Sequence, residues 1–224
     1  MITLHHLEYS QSFRVLWLLE ELGIEYTLKR YDRDSETLLA PEDYKALSPL
    51  GTAPVLEDGA LVLAETGAIL DHLLDAHPGH TLRPVAGHAD RDRHLFWAHA
   101  AQGSLMPLML VDTLFRIFVS RSPFFFKPLM RGIQSQAVSA FAAPRTNTLL
   151  DVAEVHLAEA PWFGGAELTT ADVLMSYPME SAIARGYIEP TRNRCHDWYA
   201  RMTARPAFQR AKEKDGRPSM VLPL

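Results

Sequence analysis

The stretch from 51 to 66, GTAPVLEDGALVLAET, constrains the fold of this chain more than any other. Two short apolar runs, 54–56 and 61–64, flank an Asp-Gly pair at 58–59. Asp-Gly between apolar runs strongly favours a tight β-hairpin turn. A helical pattern begins at Glu65, directly after the second run. The stretch therefore predicts two antiparallel strands that lead into a helix.

The same stretch has features that suit a small zwitterionic peptide. Pro54 follows a Pro-Leu-Gly turn, a plausible place for a cis bond after Ala53. A cis bond there would turn the N–H and C=O of Ala53 outward, where an extended peptide can pair with them. Glu65 offers a carboxylate for an ammonium group, and the first N–H groups of a helix attract an anion. A plain helix start capped by Thr66 is the alternative interpretation.

Composition indicates an ordinary globular protein. The chain has 224 residues, 47% of them hydrophobic, which is enough for one large or two modest domains. No apolar run approaches the roughly 20 residues of a membrane helix, and residues 1–6 lack the pattern of a signal peptide. We therefore expect a cytoplasmic protein without an integral membrane segment. The single cysteine, Cys195, excludes an internal disulfide.

Charge is divided unevenly along the chain. Residues 1–80 contain 5 Lys and Arg against 14 Asp and Glu, whereas residues 81–224 contain 17 against 13. The acidic N-terminal part argues against nucleic-acid binding, which needs a clustered basic face. Opposite net charges instead favour docking of one part against the other, within or between subunits.

Apolar periodicity in the N-terminal part predicts a mixed sheet covered by helices. Strand candidates at 2–6 and 26–31 enclose a helix that ends at Gly23, which makes a parallel βαβ crossover. A short helix around 41–47, the hairpin and a further helix follow. This order predicts a thioredoxin-like domain with a four-stranded mixed sheet over 1–80. His5 and His6 alternate on the first strand and need no functional role.

Helical periodicity replaces the strand signals after a linker at 81–84 and predicts an all-helical bundle domain over 85–224. A long amphipathic helix over 89–119 contains Pro107 as an expected kink. The sequence LTTADV at 168–173 is an unusually clear helix start, with a capping box and a hydrophobic staple. We interpret that start as a folding feature. The fold class is thus α/β plus all-α.

Several separated motifs resemble the glutathione transferase family in their order and spacing. They are SQSFR at 10–14 with LEELG at 19–23, SPLGTAPVL at 48–56, ET at 65–66, and LTTAD at 168–172 with RPAF at 205–208. The motif QGSLMP at 102–107 is similar to the bacterial and fungal theta-like branch, which usually has Glu in place of Gln102. The resemblance implies a cytosolic, serine-dependent homodimer that binds glutathione in each subunit and needs no metal.

The resemblance also implies roles for individual residues in glutathione binding. Ser10 takes the place of the catalytic serine, Ala53 contacts the cysteinyl unit through its backbone, and Glu65 with Thr66 holds the γ-glutamyl end. The other expected glutathione-binding residues are Ser12, Lys45, Thr52 and Pro54. Lys45 would contact the glycyl carboxylate, with simple solvation as the alternative, and Thr52 is shorter than the family's usual Lys or Gln.

Alternatives remain open for the residue that activates the thiol and for the residues near the electrophile. Tyr9 is the rival of Ser10 because other classes of the family use a tyrosine, and Ser12 is a further candidate. Helix capping is the plain role for either serine. The expected electrophile pocket includes Tyr9, Met106 and Leu110. The run 124–126, FFF, would cover this pocket, pack internally or form an exposed patch.

The resemblance implies a detoxifying glutathione transferase that activates the thiol as a thiolate for attack on hydrophobic electrophiles. Free cysteine has a pKa of about 8.5, and the thiolate is the nucleophile, so the site must favour the anion. Peroxide reduction, isomerisation and glutathionyl exchange are alternative activities. A binding or regulatory protein without catalysis is the alternative from another class. Cys195 lies outside the expected site, which argues against the cysteine-dependent branches of the family.

Overall fold

The computed structural model describes residues 1–222. The chain divides into two compact units, one of Met1–Arg83 with Ala200–Leu222 and the other of Pro84–Tyr199. The C-terminal segment Ala200–Leu222 thus belongs with the N-terminal unit, whereas the sequence interpretation assigned it to the helical domain. The α-helices of the described residues are α1 Ser12–Leu22, α2 Glu42–Lys45, α3 Thr66–Ala76, α4 Arg91–Ala100, α5 Met106–Arg121, α6 Lys127–Ala137, α7 Ala143–Glu159, α8 Thr170–Ala184, α9 Asn193–Thr203 and α10 Pro206–Asp215.

The first unit contains a four-stranded mixed sheet, as predicted. Its strands are β1 Ile2–Leu7, β2 Thr27–Tyr31, β3 Val55–Asp58 and β4 Leu61–Ala64, in the order β2-β1-β3-β4. β1 is parallel to β2 and antiparallel to β3, and the predicted hairpin joins β3 to β4. Gly59 in that hairpin has a φ of 62°, in the left-handed region that glycine tolerates. All six residues of β1 are buried, so this central strand does not show the predicted alternation.

Helix α10 is the element of the first unit that sequence analysis missed, and it packs against α1. The Phe208 ring lies edge-on to Phe13 and Trp17, with centroids 5.2 and 5.3 Å apart. Glu20 on α1 accepts from Arg210 Nε at 2.8 Å and from Lys214 Nζ at 2.5 Å. Burial alone would raise the pKa of Glu20, but these hydrogen bonds outweigh it and the pKa is lowered.

Two prolines of the second unit are accommodated by π-helical turns rather than by kinks alone. The continuous helix Arg91–Arg121 contains a π-turn at Ala101–Leu105, which ends one residue short of Pro107 with Met106 between them. A second π-turn, Val138–Ala142, precedes Pro144 in the same way. Proline lacks the N–H that an α-helix needs, and the wider turn relieves the clash of its ring with the preceding turn.

Helix Arg91–Arg121 is long and apolar enough to cross a membrane by length and composition alone. An 18-residue window within it has a mean hydropathy of 1.4 and is 22% buried. Helices of globular proteins also meet these criteria, and this one contains Asp112, which accepts from Arg116 Nε at 2.7 Å. The expected absence of a membrane segment therefore stays a prediction.

The aromatic run 124–126 lies between α5 and α6, after the predicted break at 122–123. Its three side chains are exposed rather than packed internally, and Phe124 is 83% exposed. Their rings contact one another, with centroids 5.4 and 4.7 Å apart along the run. This run is an exposed apolar patch of the second unit.

The predicted capping box at the start of α8 is confirmed, and the hydrophobic staple stays a prediction. Thr169 is the N-cap, its hydroxyl accepts from the N–H of Ala171, and Asp172 completes a capping box. Asp172 also accepts from the N–H of Phe163 at 2.7 Å and from Trp198 Nε1 at 2.9 Å. Burial raises the pKa of Asp172, although these hydrogen bonds act in the opposite direction.

Candidate functional site

Ser10 lies in the turn that joins β1 to α1, where the chain leaves the centre of the sheet. Its Oγ is 2.7 Å from the carbonyl oxygen of Leu7 and 2.7 Å from Ser12 Oγ. It also accepts a hydrogen bond from the N–H of Ser12 at 3.2 Å. The hydroxyl of Ser10 therefore supports the start of α1 locally, in addition to any role in chemistry.

Ser12 connects this turn to a buried histidine and a buried aspartate. Ser12 Oγ is 2.8 Å from His6 Nδ1 and accepts from the N–H of Leu7 at 3.2 Å. His6 Nε2 is 2.8 Å from Asp215 Oδ1, at the end of α10. Ser12, His6 and Asp215 are all buried. The turn is thus the outer end of a continuous chain of hydrogen-bonding side chains.

Sequence analysis missed both His6 and Asp215 as members of this site. It gave His6 no role, and the two residues are 209 positions apart in the chain. One signal for Asp215 was available: it precedes Gly216 at the C-terminal end of α10, where the helix dipole disfavours a carboxylate. An aspartate at such a position needs another reason to be there.

Tyr9, the rival of Ser10, has a different environment. Its φ is 48°, which is uncommon for a residue with a side chain, and its carbonyl oxygen accepts from Arg33 Nη2 at 3.4 Å. The guanidinium carbon of Arg217 lies 5.8 Å from the centre of its ring. Tyr9 is half-buried. The choice between Ser10 and Tyr9 stays a prediction.

Glu65 and Thr66 form the start of α3, and the plain capping interpretation of Thr66 is wrong. The N-cap position belongs to Glu65, which makes no side-chain capping bond, while Thr66 is the first helical residue. Glu65 is exposed and has φ 73° and ψ 122°. Such a conformation costs about 1–3 kcal/mol in a residue other than glycine and is concentrated at functional sites.

Arg14 joins the start of α3 to the start of α1. This arginine is fully buried. Its Nη2 is 3.4 Å from Thr66 Oγ1 and also donates to the side-chain oxygen of Gln11. Ser10 precedes Gln11 directly in the chain. One buried guanidinium therefore holds together the two helix starts that carry Ser10 and Glu65.

The remaining predicted glutathione-binding residues lie before β3. The peptide bond between Ala53 and Pro54 is cis, as predicted. Thr52 is exposed, Ala53 is half-buried and Pro54 is buried. Lys45 Nζ is 2.6 Å from Glu42 Oε1, so the ammonium group already has a carboxylate partner in this structure.

Met106 and Leu110 lie one turn apart on α5 in the second unit, whereas Tyr9 belongs to the first unit. Met106 is half-buried and Leu110 is 53% exposed. A groove of about 660 Å³ in the second unit is lined by a different face of this region. Its lining residues are Gly103, Ser104, Pro107, Leu108, Val111, Phe141, Arg145, Thr148, Leu149 and Val152.

The single cysteine, Cys195, belongs to the second unit. Cys195 is a buried free thiol whose pKa is raised by burial and by its hydrogen bond to Glu154, which disfavours the reactive thiolate. Within residues 1–222 no group of three or more His, Cys, Asp or Glu side chains is placed to hold a metal ion.

Comparison with known proteins places these residues in a family. The family described as "Glutathione S-transferase, N-terminal domain" matches residues 10–76. Glutathione S-transferase 3 of Schizosaccharomyces pombe is 35% identical over 217 residues, which cover 96% of this chain and 88% of that protein. Glutathione S-transferase 1 of Saccharomyces cerevisiae is 29% identical over 224 residues, covering 96% and 95% of the two chains.

Solved structures agree with this assignment. A glutathione S-transferase from Actinobacillus pleuropneumoniae superposes with a TM-score of 0.77 at 31% identity, covering 96% of this chain and 93% of the other. A theta class glutathione S-transferase from Xanthomonas axonopodis pv. citri, solved with glutathione bound, gives a TM-score of 0.67 at 29% identity, covering 94% and 96%. The theta-like branch stays a prediction. Near-complete coverage at 35% identity shows that the chain belongs to the glutathione S-transferase family.

Proposed function

We propose that this protein is a glutathione transferase that activates the glutathione thiol as a thiolate for attack on hydrophobic electrophiles. The observation that carries the proposal is the buried Arg14, which joins the turn of Ser10 to the start of α3 at Thr66. A tripeptide with a central thiol needs a hydrogen-bond donor to its sulfur and a separate binding site for its charged end. Arg14 links the turn of Ser10, the candidate for the sulfur, to the start of α3, the candidate for the charged end, within one compact unit.

Glutathione in this proposal lies across the first unit, and the second unit supplies the electrophile pocket. Glu65 receives the α-ammonium group, and the N–H groups at the start of α3 with Thr66 receive the α-carboxylate of the γ-glutamyl end. The backbone of Ala53 pairs with the cysteinyl unit. Lys45 reaches the glycyl carboxylate only by leaving Glu42, so its contribution is smaller than that of Glu65.

Ser10 stabilises the thiolate in this proposal. Lowering the pKa of a thiol from about 8.5 by about two units needs roughly 2.7 kcal/mol. A hydrogen bond to a charged group contributes about 1.5–3 kcal/mol, and the positive end of α1 adds to it. One hydroxyl and one helix start are therefore sufficient to make the thiolate the main form at neutral pH.

Calorimetric titration with glutathione tests the binding site. Glu65→Ala and Thr66→Ala should each weaken binding by about 1.5–3 kcal/mol, because each removes a partner of a charged group. Asp71→Ala is a matched control: it removes a carboxylate from the same helix, where Asp71 pairs only with Arg83 among the described ion pairs. Unchanged affinity in both site variants would refute the assignment.

Thiolate absorbance, titrated against pH in the glutathione complex, tests the role of Ser10. Ser10→Ala should raise the pKa of the bound thiol with little change in glutathione affinity, since the ends of the peptide are held elsewhere. An unshifted pKa in Ser10→Ala beside a raised pKa in Tyr9→Phe would transfer the role to Tyr9. Absence of thiolate at neutral pH in the unmodified protein would favour a binding protein over an enzyme.

A cytoplasmic homodimer is the expected state of the enzyme. The groove of the second unit is largely apolar and contains Arg145, whose guanidinium lies 4.0 Å from the centre of the Phe141 ring. Such a surface suits the acidic first unit of a second copy. Sedimentation at micromolar concentration should show a dimer at low salt that weakens at high salt. A monomer at low salt would contradict this.

The natural electrophile defines the remaining part of the function. A panel of apolar electrophiles, hydroperoxides and mixed disulfides, each assayed with glutathione, separates transfer from peroxide reduction and glutathionyl exchange. Conjugation of apolar electrophiles should be the fastest reaction. That result would support a detoxifying role.

A further inference from the structure

Four polar side chains form one hydrogen-bonded chain inside the first unit, from Ser10 through Ser12 and His6 to Asp215. The three links measure 2.7, 2.8 and 2.8 Å between the bonded atoms. Ser10 is 6% exposed, and the other three residues are more deeply buried, with Ser12 at 0%. The hydrogen-bonded series is therefore most accessible to solvent at Ser10, whose hydroxyl is expected to face the thiol.

Asp215 determines the direction of the hydrogen bonds in this chain. A carboxylate can only accept, so His6 Nε2 carries a proton and donates to Asp215 Oδ1. In a neutral imidazole the other nitrogen, Nδ1, is then an acceptor. Ser12 consequently donates to His6 Nδ1, and a lone pair of Ser12 Oγ remains for the hydroxyl of Ser10. Ser10 donates its hydroxyl proton to the carbonyl oxygen of Leu7 at 2.7 Å, and Ser12 Oγ lies at the same distance. Rotation of that proton towards Ser12 completes a line of donors from Ser10 to Asp215.

We propose that His6 is the base that receives the thiol proton of glutathione, through Ser12 and Ser10. This inference rests on the proposed contact between Ser10 and the sulfur. The S–H bond breaks and its proton passes to Ser10 Oγ, while Ser10 gives its own proton to Ser12 and Ser12 gives its proton to His6 Nδ1. The net change converts a thiol and a neutral imidazole into a thiolate and an imidazolium.

The transfer reverses every hydrogen bond between His6 and the sulfur. The imidazolium then donates from Nδ1 to Ser12, Ser12 donates to Ser10, and Ser10 donates to the thiolate. The same chain therefore removes the proton and afterwards stabilises the anion. The proton path consists of Ser10, Ser12 and His6, and Asp215 is a positioning residue that holds the His6 ring through Nε2.

The charged groups around His6 bear on the stability of the imidazolium. Asp215 favours it directly. Lys212 Nζ lies 3.6 Å from Asp215 Oδ2 and shares that carboxylate. Arg30 pairs with His6 in the register of β1 and β2, and its guanidinium lies beside Gly216. Arg30 is exposed, so solvent screens its opposition to a positive charge on the ring, whereas the contact with Asp215 favours that charge.

The decisive measurement is the protonation state of His6 in the full chain with glutathione bound. Nitrogen-15 NMR of the labelled histidines distinguishes imidazole from imidazolium, and thiolate absorbance on the same sample gives the state of the sulfur. We expect His6 to become an imidazolium as the thiolate forms, and the protein to release less than one proton per thiolate into a weakly buffered solution. A neutral His6 beside a full thiolate and one released proton would overturn the proposal.

Substitutions separate this inference from the proposed function. His6→Gln and Asp215→Asn should each raise the pKa of the bound thiol by about one unit, a tenfold fall in the ratio of thiolate to thiol, with KM for glutathione within about twofold. Lys214→Gln is the matched control, because Lys214 lies on α10 but pairs with Glu20. Lys214→Gln should leave the pKa of the bound thiol unchanged.

The pattern across variants identifies which idea fails. An unchanged pKa of the bound glutathione thiol in Ser10→Ala contradicts the proposed role of Ser10 itself. A raised thiol pKa in Ser10→Ala beside an unshifted one in His6→Gln contradicts only the proton path. If His6→Gln does not fold, backbone assignment of the unmodified protein still identifies the His6 signal, and the NMR result decides alone.

Discussion

Asp172 and Asp215 are both buried aspartates, one in each unit, but their surroundings differ. Asp172 accepts from the backbone N–H groups of Phe163 and Thr169 and from the indole of Trp198, at 2.7 to 3.0 Å. None of these donors changes its charge near neutral pH. Asp172 is therefore a fixed structural acceptor.

Asp215 has a histidine ring as its main hydrogen-bond partner. Its Oδ1 is 2.8 Å from His6 Nε2, while its Oδ2 makes no hydrogen bond within residues 1–222 and has Lys212 Nζ at 3.6 Å. Histidine is the side-chain type that can gain a proton near neutral pH, unlike the donors to Asp172. The comparison teaches that burial alone does not separate a structural carboxylate from a functional one. The chemical nature of the groups that donate to each carboxylate is what distinguishes the two aspartates.

The largest expected effect is the loss of the Asp172 carboxylate. Asp172→Ala leaves several N–H donors buried without an acceptor, at about 1–3 kcal/mol each, so the free energy of unfolding should fall by about 4 kcal/mol. Urea denaturation followed by tryptophan fluorescence measures this. Asp172→Asn, which keeps one oxygen, should cost about half as much. A decrease below about 1 kcal/mol in the free energy of unfolding of Asp172→Ala would contradict the structural role of Asp172.

Asp215→Ala should destabilise the protein less and change the chemistry more. It leaves mainly the Nε2–H of His6 without its acceptor, so we expect a loss of about 2 kcal/mol in the free energy of unfolding. The pKa of bound glutathione should rise in this variant and stay unchanged in Asp172→Asn. Equal shifts of that pKa in both variants would show that general loosening, and not the histidine, affects the thiol.

Thr169→Ala tests how much of the Asp172 cluster comes from the local cap. Loss of the N-cap hydroxyl should lower the free energy of unfolding by about 1 kcal/mol, while the other donors to Asp172 keep their bonds. Thr169→Ser is the control, since it retains the hydroxyl and should stay close to the unmodified protein. A loss as large as that of Asp172→Ala would mean that the cap and the cluster act as one unit.

The smallest expected effect is a loss of stability on mild acidification. Burial lowers the pKa of His5 and of His156 below about 6.5, so the unfolded chain binds protons at these sites before the folded chain does. Their contribution is complete above the unfolded pKa and is lost as the pH falls through the lower folded values. Urea denaturation at pH 7.5 and 5.5 should show this decrease. His156→Gln should reduce it, and an unchanged slope would exclude His156.

Local sequence signals predicted much of the fold of the first unit, but one of its helices was missed. The Asp-Gly turn predicted the hairpin of β3 and β4, and Gly23 predicted the end of α1, where it caps the helix with a φ of 64°. Helix α10 was missed because the motif RPAF at 205–208 was considered only for its resemblance to the family, and no helix was predicted after it. Proline is tolerated in the first turn of a helix, and α10 begins at Pro206.

The candidate site was predicted only in part. Sequence alone indicated the turn with Ser10 and the helix start with Glu65 and Thr66. It did not indicate that Arg14 joins them, because an arginine on a helix does not reveal which distant side chain its guanidinium meets. Leu110 was expected to line the electrophile pocket, but it does not line the groove found in the second unit.

The sequence by itself determined the features that depend on residues a few positions apart. These are the hairpin turn, the capping box of Thr169 and Asp172, and the left-handed end of α1, since backbone dihedral preferences and local hydrogen bonds set them. Only the tertiary structure decided that Asp215 meets His6 across 209 residues. The physical reason is that α10 lies far from α1 in the chain and docks on it through the Phe208 ring and the ion pairs of Glu20. No local backbone preference encodes such distant contacts, so the pairing exists only once the helix is docked.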